Sequence, residues 1–191
     1  MRKVLSVVGA VLALTLSMAI EPASASAAAR QPAAPAVAGE LTMHQMSTEN
    51  STYLSETTLV TTGCGSACDY KDPASYKIYY SGCSTCYHYC ADDAITPTPT
   101  TSYDIRNSGA SIQLRYSPRC RTAWARTTYY DYAYIKVESR YSNGTTRAVA
   151  GVDKWQGASP WTAMLNDAGL QARACMANQG PMSGYTCTSW Y

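Results

Sequence analysis

Residues 129–152, YYDYAYIKVESRYSNGTTRAVAGV, decide the fold. Tyr132, Tyr134, Lys136 and Glu138 fall on one side of this stretch, and Ala133, Ile135 and Val137 on the other. That alternation is the mark of a strand with one buried face. Asn143-Gly144 then offers the type I′ turn that reverses a hairpin. Upstream, SIQLRYS (residues 111–117) sets Ile112, Leu114 and Tyr116 against Gln113 and Arg115 in the same two-residue rhythm. Downstream, SPWTAMLNDAGLQARACM (159–176) reads as a strand, a turn at Asn166 to Gly169 and a second strand, with a short helix as the competing reading. Beyond the N-terminal apolar run, no stretch carries a convincing helical period. The fold class expected is all-β: a small disulfide-stapled β-sandwich or barrel-like domain with an extended N-terminal arm.

The chain of 191 residues divides by composition. Arg2 and Lys3, an apolar run from Val4 to Ile20, and the small residues through Ala27 have the anatomy of a cleaved secretory signal. Residues 28–61 are expected to be an Ala/Pro-rich spacer followed by an extended arm. Pro32 and Pro35 block helix there, and the Thr-rich stretch from Leu41 to Thr62 favours extended backbone. Residues 62–191 are the expected disulfide-rich β domain. A net charge of +2, +1 once residues 1–27 are removed, offers no electrostatic case for nucleic acid. No stretch beyond the signal approaches the roughly 20 apolar residues of a membrane span. The expected location is outside the cell, with no membrane attachment after signal cleavage.

All eight cysteines, Cys64, Cys68, Cys83, Cys86, Cys90, Cys120, Cys175 and Cys187, lie in the last two-thirds of the chain. An even count in an exported chain makes a disulfide framework the default, with 105 possible pairings. The segment GCSTCYHYC (82–90) also sets Cys83, Cys86, His88 and Cys90 at metal-like spacing. Structural zinc sites usually join two separated ligand pairs, and thiolates outside the cell oxidise. Catalytic C-x-x-C pairs usually open a helix, and none is signalled here. No metal and no cofactor is therefore expected.

Catalytic patterns are equally thin. The chain has no G-x-S-x-G and no H-E-x-x-H. His88 has no evident carboxylate partner, and Asp92-Asp93, adjacent on the chain, does not define a two-carboxylate site. No enzyme is expected. Arg115, Arg119, Arg121 and Arg126 either grip an anion or, on the plainer reading, cover apolar surface with their stems while Trp124 packs below. What stands out is tyrosine: 16 Tyr, with no Phe. Rigid Tyr among Ser and Gly is the composition of a binding loop. The expected contact residues are Met43, Met46, Tyr53, Leu54, Leu59 and Val60 on the arm and Tyr79, Tyr80, Tyr87, His88 and Tyr89 on the cysteine-tied loop. Sugar-stacking tyrosines in a cell-wall binding module, a protease inhibitor and a small hydrolase are the alternatives.

The strings CGSACDYKDPASY (64–76), CADDAIT (90–96) and LRYSPRCRTAWAR (114–126) resemble the YjfA-like family of small secreted bacterial proteins, best represented in actinomycetes. The likeness spans residues 62 to 178 and implies location and fold more than activity. Relative to the family pattern, SYKIYYSGCSTCYHY (75–89) is an insertion and Cys187 an addition. The resemblance implies a Cys83–Cys86 ring, Cys68 paired with Cys90, Cys120 with Cys64 or Cys175, and Cys187 with whichever of those two remains. The organisation as a whole is similar to the adaptor subunits of umbrella toxin particles secreted by actinomycetes, which link a ring-and-stalk toxin subunit to lectin-like subunits. That likeness implies secreted protein partners, toxin-complex subunits among them.

Overall fold

The structure is a computed structural model that describes residues 50–102, 109–129, 133–154, 159–177 and 184–191. Its framework is a pair of four-stranded sheets. The first has the order β4 (Thr101–Ser102), β5 (Ser111–Ser117), β6 (Thr122–Thr127), β9 (Leu165–Asn166). The second has the order β11 (Thr186–Cys187), β10 (Gln171–Ala177), β7 (Ala133–Arg140), β8 (Thr146–Lys154). Ile112, Leu114, Ala123 and Ala125 of the first sheet share one core with Ile135, Val137, Ala150, Ala172, Ala174 and Met176 of the second. The all-β expectation holds, in the sandwich form and without barrel closure. Alanine dominates the inner faces, so the larger Ile, Leu and Met side chains fill the layer between them.

The hairpin read from residues 129–152 is β7–β8, and Ala133, Ile135 and Val137 face inward as the alternation requires. Its turn differs from the expected one. Tyr141 N–H donates to Thr145 O at 2.9 Å, and Gly144 alone takes a positive φ, 85°. A two-residue I′ turn needs positive φ at both central residues. Asn143 instead accepts the Thr145 amide on its side-chain oxygen at 2.9 Å, and a register shift follows at Ser139/Arg140. The 159–176 stretch forms two strands about a turn, not a helix. They lie in different sheets, so the turn carries the chain across the sandwich.

The arm departs most from expectation. Residues 51–62 are not a free extended segment. Ser51–Leu54 form β1, paired in parallel with β2 (Lys77–Tyr80), and β3 (Tyr87–His88) completes a third, three-stranded sheet. Glu56–Thr62 form the helix α1. Ser55 caps it, accepting the Thr58 amide at 3.0 Å, with Glu56 in the first turn. The threonines that argue for strand are accommodated by back-bonding: Thr61 and Thr62 hydroxyls donate to Thr57 O and Thr58 O at 2.7 and 3.0 Å. Leu59 is fully buried in a second core with Ile78, Tyr76, Trp124 and Met164. Gly63 ends the helix at φ 68°, pressed so closely on the Cys120 carbonyl that an added Cβ would lie 2.2 Å from its oxygen. The folded domain thus begins ahead of the first cysteine. Among the described residues no helix is long and apolar enough to cross a membrane.

Leu59→Ala should lower stability by about 2–5 kcal/mol in denaturant titration with the disulfides intact. A change below about 0.5 kcal/mol would place residues 51–62 outside the cooperative unit.

Asp167, just after β9, is buried, and its Oδ1 finds no hydrogen-bond partner among the described residues. Burial drives its pKa from 3.8 to about 7, against the opposing charge of Arg121. The folded state therefore holds this proton where the unfolded state has lost it, and stability should fall as pH rises from 3.8 to about 7. Asp167→Asn should flatten that decline, gaining at least about 1.4 kcal/mol, one pKa unit, at pH 8 relative to pH 4. Parallel stability–pH profiles for the two proteins would refute the assignment.

Candidate functional site: a tyrosine row on a disulfide-held sheet

The register of the small sheet places Tyr53 beside Tyr79, and Tyr79 beside Tyr87. One ring from each strand therefore stands in a line across the sheet. Tyr53 and Tyr79 stack with centroids 5.0 Å apart, Tyr79 and Tyr87 meet edge-on at 5.6 Å, and Tyr89 extends the line from Tyr87 at 5.2 Å. Such pairs contribute roughly 0.5–1.5 kcal/mol beyond area burial. Lys77 lies on the same face, its Nζ 4.9 Å from the Tyr87 ring centre. The Tyr89 phenol is pushed above its ordinary pKa by its hydrogen bond with Tyr87, then by desolvation. Tyr53 is 64% exposed and Tyr87 43%.

The opposite face of the sheet is the buried one. Ile78 is fully enclosed, and Tyr80 and Leu54 pack against the second core. Leu54, Leu59 and Tyr80, expected as contact residues, are thus structural. Tyr76, within the inserted segment, is also core. Val60 is 64% exposed on α1, pointing away from the position of Leu59. Met43 and Met46 lie outside the described residues, as do Tyr130 and Tyr132. On the sandwich, Tyr129 packs against the main core.

His88 has the carboxylate neighbours that the sequence did not reveal. Its Nε2 is 3.3 Å from Asp93 Oδ1, and its Nδ1 is 4.0 Å from Asp92 Oδ2. The inserted hairpin brings the ring back over the following turn. Asp93 also accepts from the Ser117 hydroxyl at 2.5 Å and the Arg119 amide at 2.8 Å. The order is Ser–Asp–His, with the carboxylate in the middle. A nucleophile needs the imidazole between, so this arrangement does not activate Ser117. It ties the insertion to the β5–β6 turn.

Four disulfides join Cys64–Cys68, Cys83–Cys86, Cys90–Cys120 and Cys175–Cys187. The Cys83–Cys86 ring stands as expected. The Cys68–Cys90 pairing implied by the family likeness does not, and Cys120 takes neither Cys64 nor Cys175. The reason is proximity: the sulfurs of Cys64, Cys68 and Cys90 lie within 4.8 Å of one another, so sequence spacing alone could not choose among them. Cys187 meets Cys175 because β11 pairs with β10 in register.

The four arginines divide. Arg119 pairs with Glu56 at 3.2 Å and lies over Tyr80, and Arg121 donates to Thr61 O at 2.7 Å at the helix terminus. Arg115 and Arg126 instead line a cavity with Trp124 and Trp161. The C-terminal Trp190 sits 3.8 Å from Arg140 and 4.5 Å from Arg173, and Tyr191 pairs by backbone with Ala172, so the tail packs.

These features define a disulfide-stapled all-β domain that carries an accessory three-stranded sheet faced with tyrosine. Residues 66–175 match the model of a family described as a protein of unknown function, DUF2690, and the chain belongs to that family. No curated protein and no solved structure matches.

Asp93→Ala should cost roughly 1–3 kcal/mol, because it strands donors from Ser117 and Arg119, whereas His88→Ala should cost less than half as much. Equal losses would contradict the central place given to the carboxylate. Mild reduction followed by alkylation should label Cys83 and Cys86 first, since Cys64, Cys68, Cys90, Cys120 and Cys175 are all at most 4% exposed. Prior labelling of any of those five would contradict the burial described.

Proposed function

We propose that this protein is a secreted, non-enzymatic protein-binding module, an adaptor that joins subunits of an extracellular complex. The observation that carries the reading is the tyrosine row, four rings across one face of a sheet whose other face is locked to the core. Such a surface gives broad contact at little cost in conformational entropy. The signal-like N-terminus and the four disulfides support export. The string resemblance to YjfA-like proteins and the likeness in organisation to umbrella-toxin adaptor subunits support an actinomycete-type secreted assembly, antibacterial toxin complexes included.

The sugar-binding alternative is less well supported by the ring geometry. Stacking on a sugar uses an open aromatic face. Tyr79 has Tyr53 stacked at an interplanar angle of 18° on one side and the Tyr87 ring at 65° on the other, and Lys77 lies over the Tyr87 face. The inner rings of the row, Tyr79 and Tyr87, therefore offer chiefly edges and hydroxyls, which suit a polar protein surface, and Tyr53 at the edge strand keeps one ring face for stacking.

The test is affinity purification of the secreted chain with mass spectrometry of co-eluting proteins, repeated with a Tyr53→Ser/Tyr87→Ser variant. The variant removes three ring contacts and should melt somewhat lower, so retention of the fold is checked by circular dichroism at the capture temperature. A specific partner should be retained by the wild type and lost at least about tenfold by the variant. Deletion of residues 28–49, which spares β1 and α1, separately tests the preceding segment. Undiminished capture by the tyrosine variant would contradict the reading, and sedimentation with purified peptidoglycan would favour the sugar-binding module.

A further inference from the structure

A cavity of about 270 Å³ opens on the outer face of the first sheet, and none of the four tyrosines of the row lines it. Its position follows from strand alternation. Ala123 and Ala125 of β6 face the sandwich core, so Trp124 and Arg126 face the other way. Arg115 of β5 stands opposite Trp124 in the ladder and so shares that face. Trp161 comes alongside through its bridge with Arg126, and Pro73 and Ala94 help close the far wall.

Three observations concern what this space can hold. Arg115 donates to Thr96 Oγ1 at 2.7 Å and to Ala94 O at 2.6 Å, which fixes its plane and leaves other guanidinium N–H groups free to donate. None of the lining side chains is acidic, although two are cationic. Burial and then the like charge of Arg126 push the Arg115 pKa down, as for two cations drawn together with no anion between them. Finally, the Trp161 Nε1 is buried without a hydrogen-bond partner among the described residues. A buried donor with no acceptor costs roughly 1–3 kcal/mol, and an incoming acceptor would recover it.

We propose that this cavity, formed by Arg115, Arg126, Trp124 and Trp161, binds a carboxylate carried on a single aromatic ring. The two guanidinium groups and the indole N–H supply donors to the acid, and the indole and alanine surfaces take the ring. The volume lies just under the roughly 300 Å³ at which pockets begin to hold drug-sized ligands, so one ring and its acid fit the space and a nucleotide does not. The same chemistry is offered by a free aromatic acid and by the C-terminal residue of a peptide ending in Phe, Tyr or Trp. The site is independent of the tyrosine row and of the adaptor reading.

The test is a ¹H–¹⁵N NMR titration of the full mature chain, following the indole N–H signals. The probes are benzoate, the neutral isostere benzamide, and N-acetylphenylalanine as the mimic of a chain end. Benzoate or N-acetylphenylalanine should shift the Trp161 indole signal saturably, and benzamide should bind at least about tenfold more weakly. Tighter binding of N-acetylphenylalanine assigns the site to chain ends, and tighter binding of benzoate to free acids. Arg126→Gln, at an exposed position, should weaken the carboxylate about tenfold with the fold retained. Trp161→Phe, which keeps a ring and removes the donor, should weaken it severalfold, read from the Trp124 indole signal. Equal binding of benzoate and benzamide, undiminished binding by folded Arg126→Gln, or no shift of the Trp161 signal up to roughly 10 mM of either acid would overturn the proposal.

Discussion

The Cys90–Cys120 disulfide is the constraint on which the accessory sheet depends. It spans 30 residues, the longest separation of the four bridges, and it is the one bridge of the four that links the chain leaving the insertion to the sandwich. Cys120 sits in the β5–β6 turn, and its carbonyl accepts the Cys64 amide at 2.9 Å. Asp93, three residues past Cys90, reaches the same turn through Ser117 and Arg119. One bridge of that loop length removes on the order of 3–4 kcal/mol of chain entropy from the unfolded state. The remaining contacts then need only orient an insertion that is already tethered.

Strand β6 translates that tether into two cores. Thr122, Ala123, Trp124 and Ala125 are all buried, which is unusual for a strand in an antiparallel sheet with one wet face. Its alanines face the sandwich, and Trp124 faces the layer formed by α1, the cysteine cluster and the small sheet. The outer surface of the first sheet is therefore covered at Trp124, while Arg126, two residues on, is exposed. The same alternation that buries Trp124 leaves a cationic, indole-walled cavity beside it.

The sandwich was legible in the sequence because period-two alternation reports burial directly, as it does over Ala133 to Val137 and at Ile112 and Leu114. Helix α1 was not, because its seven residues include four threonines whose propensity argues for strand. Its signals were local: Ser55 as a cap, Glu56 after it and Gly63 at its end. The pairing of β1 with β2 joins residues about 26 apart in parallel, and no periodicity in either strand encodes that partner. Tyrosine content pointed to the contact face, but which tyrosines face outward depends on that register. A one-residue slip would have buried Tyr79 and exposed Tyr80. His88 and Asp93 are close only because the inserted hairpin folds back, and Arg115 and Arg126 come together only through the β5–β6 ladder.

The most direct measurement is peptide mapping without reduction after combined trypsin and chymotrypsin digestion. Cleavage beside Tyr89, Arg119 and Arg121 places Cys90 and Cys120 on separate fragments, each free of other cysteines. A single disulfide-linked species joining those two fragments is expected, with Cys83 and Cys86 linked to each other. Cys90 found joined to Cys68, or Cys83 bridged outside its own loop, would contradict the covalent frame that holds the tyrosine face in place.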